Sequence, residues 1–233
     1  MRAVRLLAID TSTDVLSVAC GDGFEFVVRE ERLGPAHAER VLPRITEVLA
    51  QAGWTLASLD AIAFGAGPGA FTGVRIACGV AQGLGMGADR PLVPVGTLAA
   101  LAQEAWRMHA VSRVWACLDA RMREVYLADC RREDDTGWRC LRGPDVLKPD
   151  DIETAPGDAF GAGDGYAAHP ALVSRLAPGR CDPALRPTAR AVGELARLEV
   201  LGGRAVAASA AHPQYVRHRI ALTSAERAAG ATL

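Results

Sequence analysis

A chain of 233 residues, half of them hydrophobic, can bury one large core or two smaller ones. Its charge is balanced, 26 Lys and Arg against 27 Asp and Glu, which excludes the basic footprint of a stand-alone nucleic-acid binder and leaves any RNA contact to a partner. Six cysteines, with no C-x-x-C and no histidine at ligand spacing, exclude a disulfide framework and a sequence-local zinc site and fit a reducing compartment.

Residues 4–9 form a short apolar run that predicts a buried strand. DTSTD, residues 10–14, predicts a turn, residues 15–20 a second strand, and GDG at 21–23 a tight hairpin into a third strand at 24–29. Asp10 ends the opening apolar run too early for the core of a signal peptide. No stretch reaches the roughly 18 apolar residues of a membrane span, so a soluble cytoplasmic protein is expected. Residues 37–53 place Val41, Leu42, Ile45, Val48, Leu49 and Ala52 on one helical face, with Gly53 positioned to end the helix. Pro43 inside this pattern predicts a kink or a restart. A short strand at 61–64 runs straight into GAGPGAFTGVR, residues 65–75, and a helix over 71–87 follows. A strand at 92–95 and a helix at 98–109 complete the first half.

The second half opens as the first does. VWACLDARMREVYLADC (114–130) and LLAIDTSTDVLSVAC (6–20) share one layout: an apolar strand ending in Asp, a polar turn, then a strand beginning with Val. This predicts an internal duplication. Residues 138–147 extend that sheet, and GDAFGAGDGYAAHP (157–170) predicts strand, glycine turn and helix, with Asp164 as a helix cap. Gly161, Gly163 and Gly165 could line an adenosine pocket or simply form the turn. A helix at 187–203 ends at Gly202 and Gly203, a short extended stretch lies in 212–221, and residues 223–233 read as a frayed end. Two such halves indicate an α/β protein with the duplicated two-lobe actin-like (ASKHA, ribonuclease H-like) fold. The first lobe would span residues 1–105 and carry the helices 37–53 and 71–87. The second, smaller lobe would span 106–222, with its C-terminal helix and tail packing back toward the first, and 223–233 would be a flexible tail. In that architecture a nucleotide sits between the lobes, with one hairpin turn from each touching its phosphates.

The glycine stretch admits three readings. A P-loop needs a lysine after its glycines, and none is near. GAGPGA fits a loose dinucleotide fingerprint, but Pro68 removes a backbone N–H where pyrophosphate needs one, and no acid closes the next strand. The third reading concerns the helix itself. Gly79, Gly83 and Gly87 repeat every four residues, with Arg75 on the same stripe. Each interior glycine costs about 1 kcal/mol relative to alanine, so another backbone should approach along this stripe. Either the protein's own sheet or helix 37–53 packs there, or a partner's helix does. Periodicity does not separate the two. A face of small and apolar residues also favours a homodimer when the chain is alone.

Chemistry within the chain is thinly represented. Asp10, Thr11, Ser12 and Asp119 are the candidates for residues near a phosphate, the two aspartates orienting magnesium or water. Both turns lack the glycine that lets backbone amides approach phosphate, and each aspartate can instead cap its own turn. No H-x-x-x-H is present, since His37 is followed four positions later by Val41, so no metal site is expected. His37 reads as an exposed interface or capping residue. Neither Ser12 nor Ser17 has the surroundings of a nucleophile. Beside a scaffold role, a self-sufficient actin-like ATPase or small-molecule kinase is the alternative, and a glycoprotease-like peptidase a remote one.

Five segments in this order, LLAIDTST (6–13), HAERVLP (37–43), FGAGPGAFTGVRIACGVAQGLG (64–85), LDARMREVY (118–126) and PQYVR (213–217), resemble the TsaB (YeaZ) family of bacterial tRNA threonylcarbamoyladenosine biosynthesis. The resemblance implies an actin-like fold and a non-catalytic subunit that binds the paralogous enzyme TsaD. With the ATPase TsaE, that pair transfers threonylcarbamoyl to N6 of adenosine 37 in tRNAs reading ANN codons (the t6A modification). It further implies that helices 37–53 and 71–87 meet matching helices of TsaD, through His37, Arg40, Val41, Arg44, Ile45, Arg75, Gly79 and Gly83. No cofactor is implied for the chain itself; ATP or ADP with magnesium would enter only in the complex, and tRNA only through it. Ala38 departs from the family, which usually has Ser or Thr there, and this would weaken a helix cap.

Overall fold

The computed structural model describes residues 3–133, 137–153, 159–176 and 179–217. The opening strands are β1 (Leu6–Asp10), β2 (Val15–Gly21) and β3 (Phe26–Arg32), an antiparallel ladder in which Leu6 faces Gly21 and Asp10 faces Ser17. Every residue of β1 is buried, because helices cover both faces of the sheet; a strand so placed reads as an unbroken apolar run. Helix α1 (His37–Ala52) leads to β4 (Ala61–Gly67), parallel to β1, and α2 (Phe71–Ala88) leads to β5 (Leu92–Gly96), parallel to β4. The first sheet therefore has the order β3-β2-β1-β4-β5.

After α3 (Thr97–His109) come β6 (Arg113–Arg121), β7 (Glu124–Glu133) and β8 (Gly137–Leu147), again antiparallel. Then follow β9 (Phe160–Ala162), the short helices α4 (Gly165–Ala168) and α5 (Ala171–Leu176), β10 (Cys181–Asp182) and α6 (Ala189–Leu201). β9 lies parallel to β6, and β10 parallel to β9. Read from its antiparallel edge, the second sheet is β8-β7-β6-β9-β10, a strand-for-strand repeat of the first. This is the duplicated actin-like, ribonuclease H-like fold that the paired Asp turns imply.

Burial explains the helix positions. α1 and α2 cover one face of the first sheet, with Val41, Ile45, Val48, Ala77, Cys78 and Ala81 packed on Ile9, Val18, Ile62 and Phe64. The valine, isoleucine and phenylalanine side chains among these each gain about 1.5–3 kcal/mol on full burial. α6 covers the opposite face, where Ala191, Val192 and Ala196 meet Leu6, Ala8 and Ala63. α3 packs on the second sheet through Leu101, Ala102 and Ala105 against Val114, Ala116 and Ala128. Each half thus lends a helix to the other's core, and a division at 105/106 falls inside α3.

Helix ends follow the local chemistry. α1 stops at Gly53, in the left-handed conformation at φ 70°, and α6 starts at Thr188, whose hydroxyl accepts from Ala191 N. α1 runs through Pro43 as one helix, without the restart the proline suggested, because Val41, Ile45 and Val48 hold both sides of it in one core. Ala38 lies inside this helix rather than at its cap. Among the described residues no helix is long and apolar enough to cross a membrane. The expected frayed end at 223–233, and the last residues of the extended stretch at 212–221, lie outside the described residues.

Candidate functional site

The turn after β1 and the glycine loop after β4 are shaped to each other. A Cβ on Gly65 would sit 1.9 Å from Asp10 Oδ2, one on Gly69 2.5 Å from Ser12 O, and one on Gly73 1.8 Å from Thr11 O. Thr11 Oγ1 donates to Gly73 O at 2.6 Å, and Ala70 N donates to Ser12 O at 2.7 Å. Gly65, Gly69 and Gly73 let the loop and the start of α2 lie against the DTS turn, while Gly67 makes room for Gln214 O.

Asp10 is fully buried beneath this contact. Its Oδ1 accepts from Ser12 N at 3.0 Å and from Ser12 Oγ at 2.7 Å, the Asx turn that the sequence offered as one alternative. Its Oδ2 has no hydrogen-bond partner among the described residues. Burial pushes the Asp10 carboxyl up from 3.8 to about 6, against the opposing pull of the Ser12 hydrogen bonds. Because the folded value lies above the unfolded one, the folded state holds the extra proton between pH 4 and pH 6, and stability from this group declines as pH rises through that window. Asp10→Asn keeps the oxygen that Ser12 uses and removes the titration. The interval from 3.8 to about 6 corresponds to about 3 kcal/mol, so the variant should gain up to that much on wild type between pH 4 and pH 7 in urea unfolding. A difference that stays flat with pH contradicts this.

The matching turn in the second half is closed in a similar way. Asp119 Oδ1 accepts from Arg121 N, and Asp119 N donates to Asp164 Oδ1, both at 3.0 Å. Asp164 stands at the N-terminus of α4 but makes no cap bond there; it is spent on the Asp119 amide, which corrects its expected role. Gly163 and Gly165 are packing glycines: a Cβ on either would come within 2.3 Å of Cys117 on β6. This favours the plain-turn reading over an adenosine pocket.

Between the two turns lies a cleft of about 840 Å³. Arg186 bridges it, with Nε 3.0 Å from Asp14 Oδ1 and 3.6 Å from Asp164 Oδ2. Partial burial pushes the Asp14 carboxyl up, but its Arg186 hydrogen bond and the Arg186 and Arg32 charges bring it below the ordinary range. Burial outweighs the Asp119 amide and Arg186 at Asp164, whose carboxyl is raised. Five backbone amides at or beside the two turns are engaged within the chain: Ser12 N by Asp10, Gly67 N by Thr97 Oγ1, Ala70 N by Ser12 O, Asp119 N by Asp164 and Arg121 N by Asp119.

The segment PQYVR closes the cleft's rim. Gln214 N donates to Ala66 O at 2.7 Å, Tyr215 Oη accepts from Arg75 Nε at 2.8 Å, and Arg217 holds Ala120 O and pairs with Glu124 on the second sheet. The Arg75 guanidinium also lies 3.7 Å from the centre of the Phe71 ring. Sequence reasoning expected the tail to pack back toward the first lobe but identified neither the contacts that fasten this strap nor the Arg186 bridge. Their partners lie 140 and 172 residues away, beyond any periodicity.

The residues expected to face a partner divide into two groups. His37, Val41 and Ile45 are 4%, 1% and 3% exposed, and Val41 and Ile45 belong to the first core. His37 donates from Nε2 to Thr13 O at 3.0 Å, so it fastens α1 to the first turn instead of standing exposed. These three side chains are corrected from the outer face to the interior. Arg40 and Arg44 both reach Glu31, at 3.3 and 2.6 Å, and remain partly accessible. Arg75, Gly79, Gly83 and Gly87 are exposed, and among the described residues a Cβ on any of these three glycines would meet nothing within 4 Å. Packing of the described elements therefore does not account for the stripe.

This architecture has a counterpart among known families. Residues 31–169 match the family model described as TsaD: tRNA N6-adenosine threonylcarbamoyltransferase, which places the chain in the TsaD-related class. Within that class, the proteins that match over nearly the full length carry another name. The chain is 39% identical over 229 residues to the tRNA threonylcarbamoyladenosine biosynthesis protein TsaB of Haemophilus influenzae, covering 94% of this chain and 96% of that one. It is 38% identical to TsaB of Escherichia coli K12 over the same shares. The solved structure of YeaZ from Pseudomonas aeruginosa superposes with a TM-score of 0.85 at 40% identity, covering 91% of this chain and 99% of that one. The chain belongs to the TsaB (YeaZ) family.

Proposed function

We propose that this chain is a non-catalytic subunit that binds TsaD and activates it for transfer of threonylcarbamoyl to N6 of adenosine 37 in tRNAs reading ANN codons. The observation that carries this reading is the open stripe on α2: among the described residues, Gly79, Gly83 and Gly87 have no neighbour where a side chain would stand. Gly79 and Gly83, both interior to α2, together cost about 2 kcal/mol of helix stability, a loss that close approach by a partner's helix offsets. The engaged amides at both turns support assigning the chemistry, with its ATP or ADP and magnesium, to the complex and not to this chain. TsaE joins in the ternary assembly, tRNA is met through the complex, and the same face pairs two copies when TsaD is absent. The setting is the cytoplasm.

Reconstitution tests the proposal. TsaD and TsaE, given threonylcarbamoyl-adenylate and unmodified tRNA, should form the modified base at least tenfold faster with this chain than without it, and the chain alone should form none. Equal rates with and without it, or turnover by the chain alone, would overturn the reading.

A further inference from the structure

β7 and β8 bring two thiols together at the outer edge of the second sheet. Cys130 and Cys140 are direct partners across the antiparallel ladder, and their sulfurs lie 3.4 Å apart. Cross-strand partners have Cα atoms about 4.5–5.5 Å apart, within the about 4.4–6.8 Å that a disulfide spans. A bond therefore needs only that the sulfurs close to about 2.05 Å, with the strands where they are. Cys130 is fully buried, in the cluster with Val114, Ala116 and Ala128, whereas Cys140 is exposed on the edge strand. The geometry is that of an accessible attacking thiol with a resolving thiol directly beneath it.

We propose that Cys130 and Cys140 form a reversible oxidation site, which a peroxide or a low-molecular-weight disulfide converts into an intrachain disulfide. With peroxide, the Cys140 thiolate attacks one oxygen and breaks the O–O bond, giving a sulfenic acid and hydroxide, which takes up the proton Cys140 gave up. The Cys130 sulfur then attacks the Cys140 sulfur. The S–O bond breaks and the hydroxyl leaves with the Cys130 proton as water. The two thiols together lose two electrons and two protons, and the peroxide becomes two waters. A dithiol reductant reverses the change by exchange.

The surroundings select this pair. The hydrogen bond from the Cys130 thiol lowers the Cys140 thiol to about 7, against partial burial, and that same contact together with burial raises Cys130, so the outer sulfur ionises first. Elsewhere burial works the other way: it pushes Cys20 up to about 12 and Cys181 up to about 11, and it raises Cys78 and Cys117 as well. The other five thiols are buried or only partly accessible, which leaves Cys140 as the one to react.

The test treats the reduced full chain with one equivalent of hydrogen peroxide, alkylates it and maps its peptides. The expected product is about two mass units lighter, carries a Cys130–Cys140 linkage, and returns to the dithiol with dithiothreitol. Cys130→Ser should trap the outer thiol as a sulfenic acid that dimedone labels, with no intrachain bond. Cys140→Ser should slow peroxide consumption at least tenfold. Linkage between Cys140 residues of two chains, first oxidation at Cys181, or six thiols left intact under conditions that oxidise a small free thiol would each overturn the proposal. Wild-type mapping alone yields any of these results, so the test does not depend on the variants folding.

Discussion

Gly73→Ala should destabilise the chain by about 3 kcal/mol or more, while Gly79→Ala, two turns along the same helix, should leave it equally stable or up to about 1 kcal/mol more stable. At Gly73 a methyl group would stand 1.8 Å from Thr11 O, a backbone atom, and the helix would have to leave the turn whose Thr11 hydroxyl bonds Gly73 O. That displacement strains the Ala70–Ser12 bond and the turn above buried Asp10 as well. At Gly79 the methyl group meets nothing within 4 Å among the described residues, and alanine recovers the helix propensity that glycine gives up. Urea unfolding of both variants at one pH reads the contrast. Equal losses at the two positions would mean that α2 is packed along its whole length by this chain.

The second large effect should appear only in assembly. Gly79→Leu with Gly83→Leu places two large side chains on the exposed stripe, where isolated α2 has room for them. A partner helix that approaches close enough to need glycine would be pushed away along its length, and overpacking of this kind costs about 1–3 kcal/mol per site. Two sites together should weaken TsaD binding by about a hundredfold or more, since about 1.4 kcal/mol is a factor of ten. Thermal unfolding of the isolated double variant should match wild type to within a few degrees. Homodimerisation should fall together with TsaD binding, because the proposal places both on one face.

Much of this architecture was legible because its signals are local. The strand-Asp-turn-strand layout at residues 6–20 and 114–130 exposed the duplication, and the apolar face at 37–53 placed α1. Periodicity shows that a helix buries a face, not what it buries it against. Leu101, Ala102 and Ala105 mark α3 as amphipathic without showing that the second sheet takes it. The spacing of Val41 and Ile45 puts them on the apolar face of α1 with Val48 and Leu49, and the structure keeps them there, although the family resemblance directed them to a partner. The glycine stripe was visible as a pattern but ambiguous in meaning. What the structure adds is that, among the described residues, no atom of the chain lies within 4 Å of where a side chain at Gly79, Gly83 or Gly87 would stand. Arg186, Tyr215 and Arg217 join parts of the sequence too distant for any pattern to connect.

The most direct test of the account co-expresses this chain with TsaD from the same organism and measures mass by size exclusion with light scattering, for wild type and for Gly79→Leu with Gly83→Leu. A one-to-one heterodimer with wild type, replaced by separate folded proteins with the variant, is the predicted result. A heterodimer of undiminished stability with the folded variant would contradict it, and would place the contact with TsaD on some surface other than α2.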